Sequence, residues 1–254
     1  MMSYPLDADY LRRHCRNPWS DIVVFDSIDS TSNWVKAQAR NKLVCLAERQ
    51  TAGRGRHGHQ WQSPVAENIY LSYSWQFDQT PSHLGLLSLW VGMTLSDVLE
   101  KQGLQQHGIK WPNDIYWQHK KMGGILIEVS NLSSQLVVGV GLNVNMQNET
   151  GIDQPWTSVF EVVQHTVNRN ELLVPLLDAL HVAMIKFPYI DHSEFMRHWK
   201  RWDLIFGHQV SFVEDGRTLV GEARGVNDSG HLNVMLDSGE LRAFGTSISR
   251  VRWV

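Results

Sequence analysis

Apolar and polar positions follow two different regimes along this chain. Over roughly residues 22–200, short β-branched or apolar runs bounded by polar or glycine residues are interleaved with stretches of helical spacing. From residue 205 onward the apolar runs are shorter, alternate with polar residues and are broken by turn residues. The first regime predicts strands over 22–25, 43–47, 68–75, 124–129 and 136–145, the last two pairing as a hairpin across 130–135. It predicts helices over 31–40, 82–102, 170–187 and 193–202, with Asn170 as N-cap before Leu173, Leu176, Leu177, Leu180 and Met184. No regular strand–helix alternation runs through it. An α+β fold with a mixed β-sheet and helices gathered on one side is therefore expected, rather than a doubly wound parallel sheet. In the tail, Glu214-Asp215-Gly216, Asn227-Asp228-Ser229-Gly230 and Asp237-Ser238-Gly239 read as hairpin turns of a small β-barrel. The expected division is a domain over 1–204 and a second over 205–254.

Composition narrows the classes. The 254 residues suffice to bury one large core and a small one. With 23 Lys+Arg against 26 Asp+Glu the net charge is −3, which argues against a general nucleic-acid binder, so any basic site must be local. Two cysteines, Cys15 and Cys45, fit no metal spacing or disulfide framework, and a reducing, cytoplasmic setting is expected. The N-terminal stretch has no apolar run, and the apolar stretch from Leu84 to Leu99 is interrupted by Ser88, Gly92, Thr94, Ser96 and Asp97, so no membrane partner is expected. The 11 tryptophans are read mainly as packing residues.

Candidate chemistry lies in five stretches. In Gly53-Arg54-Gly55-Arg56-His57-Gly58-His59-Gln60-Trp61, glycines let backbone N–H groups approach an anion and arginines add guanidinium forks for phosphate or carboxylate. The formal G-x-G-x-x-G match runs into Gln62-Ser63-Pro64 and not a helix, which removes a dinucleotide site. A solvated loop is the alternative, and His57 and His59 lack a third metal ligand nearby. Lys110-Trp111-Pro112-Asn113-Asp114 is not helical because of Pro112, and presents a lysine, an amide and a carboxylate near a strand start. Asp114 is placed to orient an amine or to bind magnesium beside phosphates, against the alternative of an ordinary turn. Lys120-Lys121-Met122-Gly123-Gly124 precedes the strand Ile125-Leu126-Ile127-Glu128; a lysine turned inward there would offset charge building on a reacting carboxylate and phosphate. Gly139-Val140-Gly141-Leu142-Asn143-Val144-Asn145 leaves space over a strand and offers asparagines to a ligand. Asp29-Ser30-Thr31-Ser32-Asn33 is a helix cap whose hydroxyls also suit a polar ligand head.

Together and in this order, Asp29-Ser30-Thr31, Gln50-Thr51-Ala52-Gly53-Arg54-Gly55-Arg56, Lys110–Asp114, Lys121–Glu128 and Gly141–Asn145 resemble the bacterial biotin protein ligases. The resemblance spans roughly residues 22–254. It implies a catalytic domain shared in fold with lipoate ligases and class II aminoacyl-tRNA synthetases, followed by an SH3-like β-barrel. It implies activation of biotin with Mg2+ and ATP to biotinyl-5′-AMP, then transfer to a lysine of the biotin carboxyl carrier protein of acetyl-CoA carboxylase. On the matching positions it implies biotin-binding roles for Ser30, Thr31, Gln50, Gly53, Arg54, Arg56, Gly58, Trp61, Lys121 and Gly123. ATP would be served by Arg56, Lys110, Trp111, Asn113, Asp114, Lys121 and Asn143, with Lys121, Arg56 and Asp114 in the catalytic roles and Asp114 on the magnesium. His57 and His59 depart from the family's more basic loop, which would make adenylate retention weaker or pH-dependent near histidine's reference pKa of about 6.5. Some family members carry an N-terminal winged helix-turn-helix and act as repressors; the first core strand here follows only about twenty residues, so no DNA partner is expected. A lipoate or octanoate ligase and a biotin-binding sensor are the rival readings. The hairpin 124–145 offers an exposed edge for pairing two copies.

Overall fold

The computed structural model describes residues 4–129, 135–149, 151–248 and 250–254. Seven strands form the main sheet: β1 (Asp21–Phe25), β2 (Leu43–Ala47), β3 (Ile69–Trp75), β4 (His107–Lys110), β5 (Asp114–Trp117), β6 (Lys120–Val129) and β7 (Leu136–Leu142). Their order is β1-β2-β3-β7-β6-β5-β4; β1 and β2 are parallel and the other neighbours antiparallel, so the sheet is mixed, as expected. The expected pairing of 124–129 with 136–145 is present, while its connection, 130–134, lies outside the described residues. In that hairpin β7 pairs with β3 along its whole length, whereas β5 covers β6 only over residues 120–124, so residues 125–129 have β7 alone as a strand partner among the described residues.

Helices α1 (Ala8–His14), α3 (Leu87–Lys101), α4 (Val159–Val163), α5 (Arg169–Lys186) and α6 (His192–Trp202) pack into one continuous core with Val44, Leu46, Leu71, Tyr73, Val138 and Val140 of the sheet. The expectation that all helices gather on one side fails for α2 (Thr31–Gln38). Strand residues alternate faces, and Cys45 and Val137, one residue out of step with the core set, meet Val35 of α2 on the opposite side. This second face carries the site. Helix α5 is apolar and long enough to cross a bilayer, but Leu173, Leu176, Leu177, Leu180 and Met184 are buried in the core. Its N-cap is Asn168, two residues before the expected one. Asn170 instead turns inward, accepting from the Asp7 amide at 2.9 Å and donating to the Pro5 carbonyl at 2.8 Å.

After α6 the chain forms β8 (Gln209–Glu214), β9 (Arg217–Val226), β10 (Leu232–Leu236), β11 (Leu241–Phe244) and β12 (Arg252–Trp253), a second sheet ordered β11-β10-β9-β8-β12. The junction is tied to β4: the Leu204 amide donates to the Ile109 carbonyl at 3.0 Å. Asp203 sits in this junction, and burial pushes its carboxyl up to about 6. The folded state therefore binds the proton more readily than the unfolded chain between about pH 4 and 6, and stability falls as pH rises through that window. Asp203→Asn should raise the melting temperature at pH 7.5 and lose that advantage at pH 4, as scanning calorimetry at both values will show.

Candidate active site

The second sheet face holds a cavity of about 390 Å³. Its floor is glycine. Gly124, Gly139 and Gly141 all point into it, and a Cβ on Gly141 would lie 2.5 Å from the Trp61 ring, one on Gly139 3.0 Å from Ser32 Oγ. Side chains are absent from three cross-strand positions because the space above them is used.

One wall is the start of α2. Ser30 caps this helix, accepting from the Asn33 amide, and the buried Thr31 and Ser32 hydroxyls meet Ser72 Oγ of β3 at 2.7 and 2.9 Å. Gln50 accepts from the Thr31 amide at 2.9 Å and from its hydroxyl at 3.1 Å, which holds a compact polar group at one end of the cavity.

The loop 53–61 forms the roof. Its arms pair through Trp61 N–H to Gly53 O (2.9 Å) and Gly55 N–H to His59 O (2.7 Å), so it is ordered by its own backbone rather than solvated at random. Gly53 admits this closure, since a Cβ there would lie 2.6 Å from the Trp61 carbonyl. Gly58 takes φ +76 in the turn. Trp61 lies above the floor, 5.4 Å from the Lys121 ammonium, with its indole N–H buried and unpartnered. Arg56 donates to Asn113 Oδ1 at 3.2 Å and to the Thr246 carbonyl at 2.5 Å; burial lowers its pKa, partly offset by Asp114. Asn113 is fixed in turn, donating to the Ile125 carbonyl at 2.8 Å. Arg54 pairs with Glu128.

The reactive-looking pair is Lys121 and Asp114. Regular alternation would pair Tyr116 with Met122, but the register between β5 and β6 slips so that Tyr116 pairs with Lys121. This bulge sends Met122 into the core and turns Lys121 to the cavity, where its ammonium lies 2.8 Å from Asp114 Oδ1. The pair is nearly enclosed, at 14% and 13% side-chain exposure. The same slip assigns the two glycines: Gly123 packs toward Leu142 and Ile115, whereas Gly124 opens to the cavity.

Of the residues singled out from sequence, Ser30, Thr31, Gln50, Arg54, Arg56, Trp61, Trp111, Asn113, Asp114, Lys121 and Asn143 line this one cavity. Gly53 and Gly58 line the outer side of the loop. Lys110 does not reach it. Its ammonium lies 4.9 Å from the Tyr116 ring and 4.7 Å from that of Trp253, and burial pushes its pKa down to about 8. Sequence reasoning missed Ser72, Tyr70, Gln154, Trp156, Ile248 and Arg250. Gln154 and Trp156 arrive because residues 155–157 run beside β6, with Lys121 N–H to Pro155 O and Thr157 N–H to Lys121 O both at 2.9 Å. The only signal there was one tryptophan in a polar stretch.

Comparison with known proteins agrees with this geometry. Residues 24–145 match the Biotin/lipoate A/B protein ligase family. The chain is 34% identical over 235 residues to the Bifunctional ligase/repressor BirA of Salmonella typhimurium, covering 89% of this chain and 72% of that one. It is 31% identical to the Biotin--[acetyl-CoA-carboxylase] ligase of Mycobacterium tuberculosis, covering 90% and 89%. The chain belongs to the biotin protein ligase family. A solved biotin protein ligase of Aquifex aeolicus, in complex with biotin and ATP, superposes with a TM-score of 0.83 at 26% identity over 93% of this chain and 100% of that one. In this member of the biotin protein ligase family the loop histidines are exposed but on the cavity lining: His57, at φ 53, contacts Arg56 at 3.4 Å, and His59 follows two residues on.

Proposed function

We propose that the chain activates biotin with ATP as biotinyl-5′-AMP and transfers the biotin to a lysine of the biotin carboxyl carrier protein of acetyl-CoA carboxylase. The observation that carries this reading is the enclosed Lys121–Asp114 pair beside a glycine-floored cavity, with polar groups at its far end. A flat bicyclic ligand lies over Gly139 beside the Trp61 ring, which itself covers Gly141, with its ureido head toward Ser30, Thr31 and Gln50. Its carboxylate then reaches Lys121. Attack of that carboxylate on the α-phosphorus of ATP expels diphosphate, and the Lys121 ammonium offsets the negative charge gathered between the two groups. Arg56, with Asn113, closes the site around the adenylate and keeps water from the mixed anhydride. Asn143 and Trp111 belong to the nucleotide side. The acceptor amine then attacks the acyl carbon, AMP leaves and the amine's proton passes to solvent.

Magnesium is proposed as the companion of ATP, where it offsets phosphate charge. Mg2+ commonly keeps several waters and takes one or two carboxylates plus substrate phosphates. Asp114, with Asp153 also on the wall, fits that demand, and among the described residues no group of three or more His, Cys, Asp or Glu side chains is set to hold a metal alone. Lys110 is read as the cation between Tyr116 and Trp253, with at most a long-range effect on phosphates.

Residues 205–254 are proposed as a small SH3-like barrel and 1–204 as the catalytic domain; the five-stranded second sheet supports this. A cytoplasmic setting suits ATP use and two free thiols whose pKa values burial raises. The net charge of −3 supports leaving DNA out of the proposal. Biotin-dependent exchange of labelled diphosphate into ATP tests the first step; exchange driven by lipoate and not biotin would overturn the assignment.

A further inference from the structure

The two arginines of the loop do different things. Arg56 reaches Asn113 on the cavity wall, whereas Arg54, also on the lining, is tied to Glu128. Glu128 stands on the cavity side of β6, in step with Gly124 and Leu126. Its Oε2 takes Arg54 and its Oε1 takes Lys36 Nζ of α2 at 2.6 Å. One carboxylate thus joins the loop to the helix whose first turn carries Ser30, Thr31 and Ser32.

Besides this junction, the loop is tied down by Arg56 on Asn113 and the Thr246 carbonyl and by Trp61 against Gly141. A second hollow opens on its outer side, lined by residues 51–60 and, from the sheet, by Leu126 and Glu128. The ion pair spans that hollow. Without the carboxylate, Lys36 and Arg54 would face each other as two cations, so its loss both removes an attraction and leaves a repulsion.

We propose that Glu128 is the latch that holds the loop 53–61 shut over the cavity, a positioning residue that acts through Arg54 and touches neither substrate. The latch is a property of the free protein. Its consequence, slower escape of a biotin adenylate, rests on the function proposed above.

The test uses Glu128→Gln in the full chain. Limited trypsin digestion without ligand, with cleavage sites located by mass spectrometry, should cut after Arg54 and Arg56 about two- to five-fold faster than in the wild type, the size expected for a partly exposed ion pair. Release of preformed adenylate in the absence of acceptor should accelerate by a similar factor, while the single-turnover rate of its formation at saturating biotin stays near the wild-type value. Exchanging the charges, Arg54→Glu with Glu128→Arg, should return cleavage after Arg56, the site every variant keeps, toward the wild-type rate more than either single change does. Cleavage of Glu128→Gln at the wild-type rate, or faster cleavage spread evenly over the chain, would overturn the latch and leave the functional assignment standing. Failure of the wild type to form any biotin adenylate would overturn the assignment and leave the protease result unaffected.

Discussion

Lys121→Ala should lower single-turnover adenylate formation by about 100- to 1,000-fold, the cost of removing one preorganised charge donor from a reacting centre. The register slip between β5 and β6 is spent on aiming this side chain, and Asp114 holds its ammonium at 2.8 Å inside a nearly enclosed wall. Stability should fall far less, by about 1–3 kcal/mol, because the substitution leaves the Asp114 carboxylate without its cation but disturbs no apolar packing. The two quantities separate the roles: quenched-flow measurement of the adenylate reads the chemistry, and the melting temperature reads the fold. Near-normal adenylate formation by Lys121→Ala would remove the residue from the mechanism.

Gly141→Val should lower biotin affinity by about 10- to 100-fold, as expected from overfilling a packed site by 1–3 kcal/mol. The new Cβ would lie 2.5 Å from the Trp61 ring, and Trp61 cannot retreat alone because its backbone is paired to Gly53. The loop must shift with it. Isothermal titration calorimetry checks this, and an affinity within twofold of the wild type would mean that the ligand does not lie on the glycine floor.

Much of this site was legible in the sequence because its chemistry clusters in short motifs. Lys121, Asp114, Asn113, Arg56 and Gln50 belong to segments whose composition is unusual on its face, and they line the same cavity. What stayed hidden depends on tertiary arrangement. The bulge at Met122 exchanges the faces of Gly123 and Gly124, and a side-chain period of two gives no warning of one extra residue. Lys110 carries the charge of a phosphate ligand, yet Trp253 from the far end of the chain takes its ammonium. Arg250 reaches the cavity only because the second sheet docks beside it, through contacts such as Trp111 Nε1–H to the Gly230 carbonyl at 2.9 Å. The helices were mostly visible as apolar periodicity, but the position of α2 on the opposite face was not, since its small hydroxyl-bearing first turn reads as a simple cap. Strands β4 and β5 are four residues each, too short for alternation to register.

The most direct test of the account is to incubate the purified protein with biotin, ATP and Mg2+ together with a biotin carboxyl carrier domain, run lipoate in parallel, and weigh the acceptor intact. The account predicts a single biotin-sized gain in mass that requires ATP and disappears when the acceptor lysine is replaced. No gain despite tight biotin binding, or a gain with lipoate alone, would contradict it.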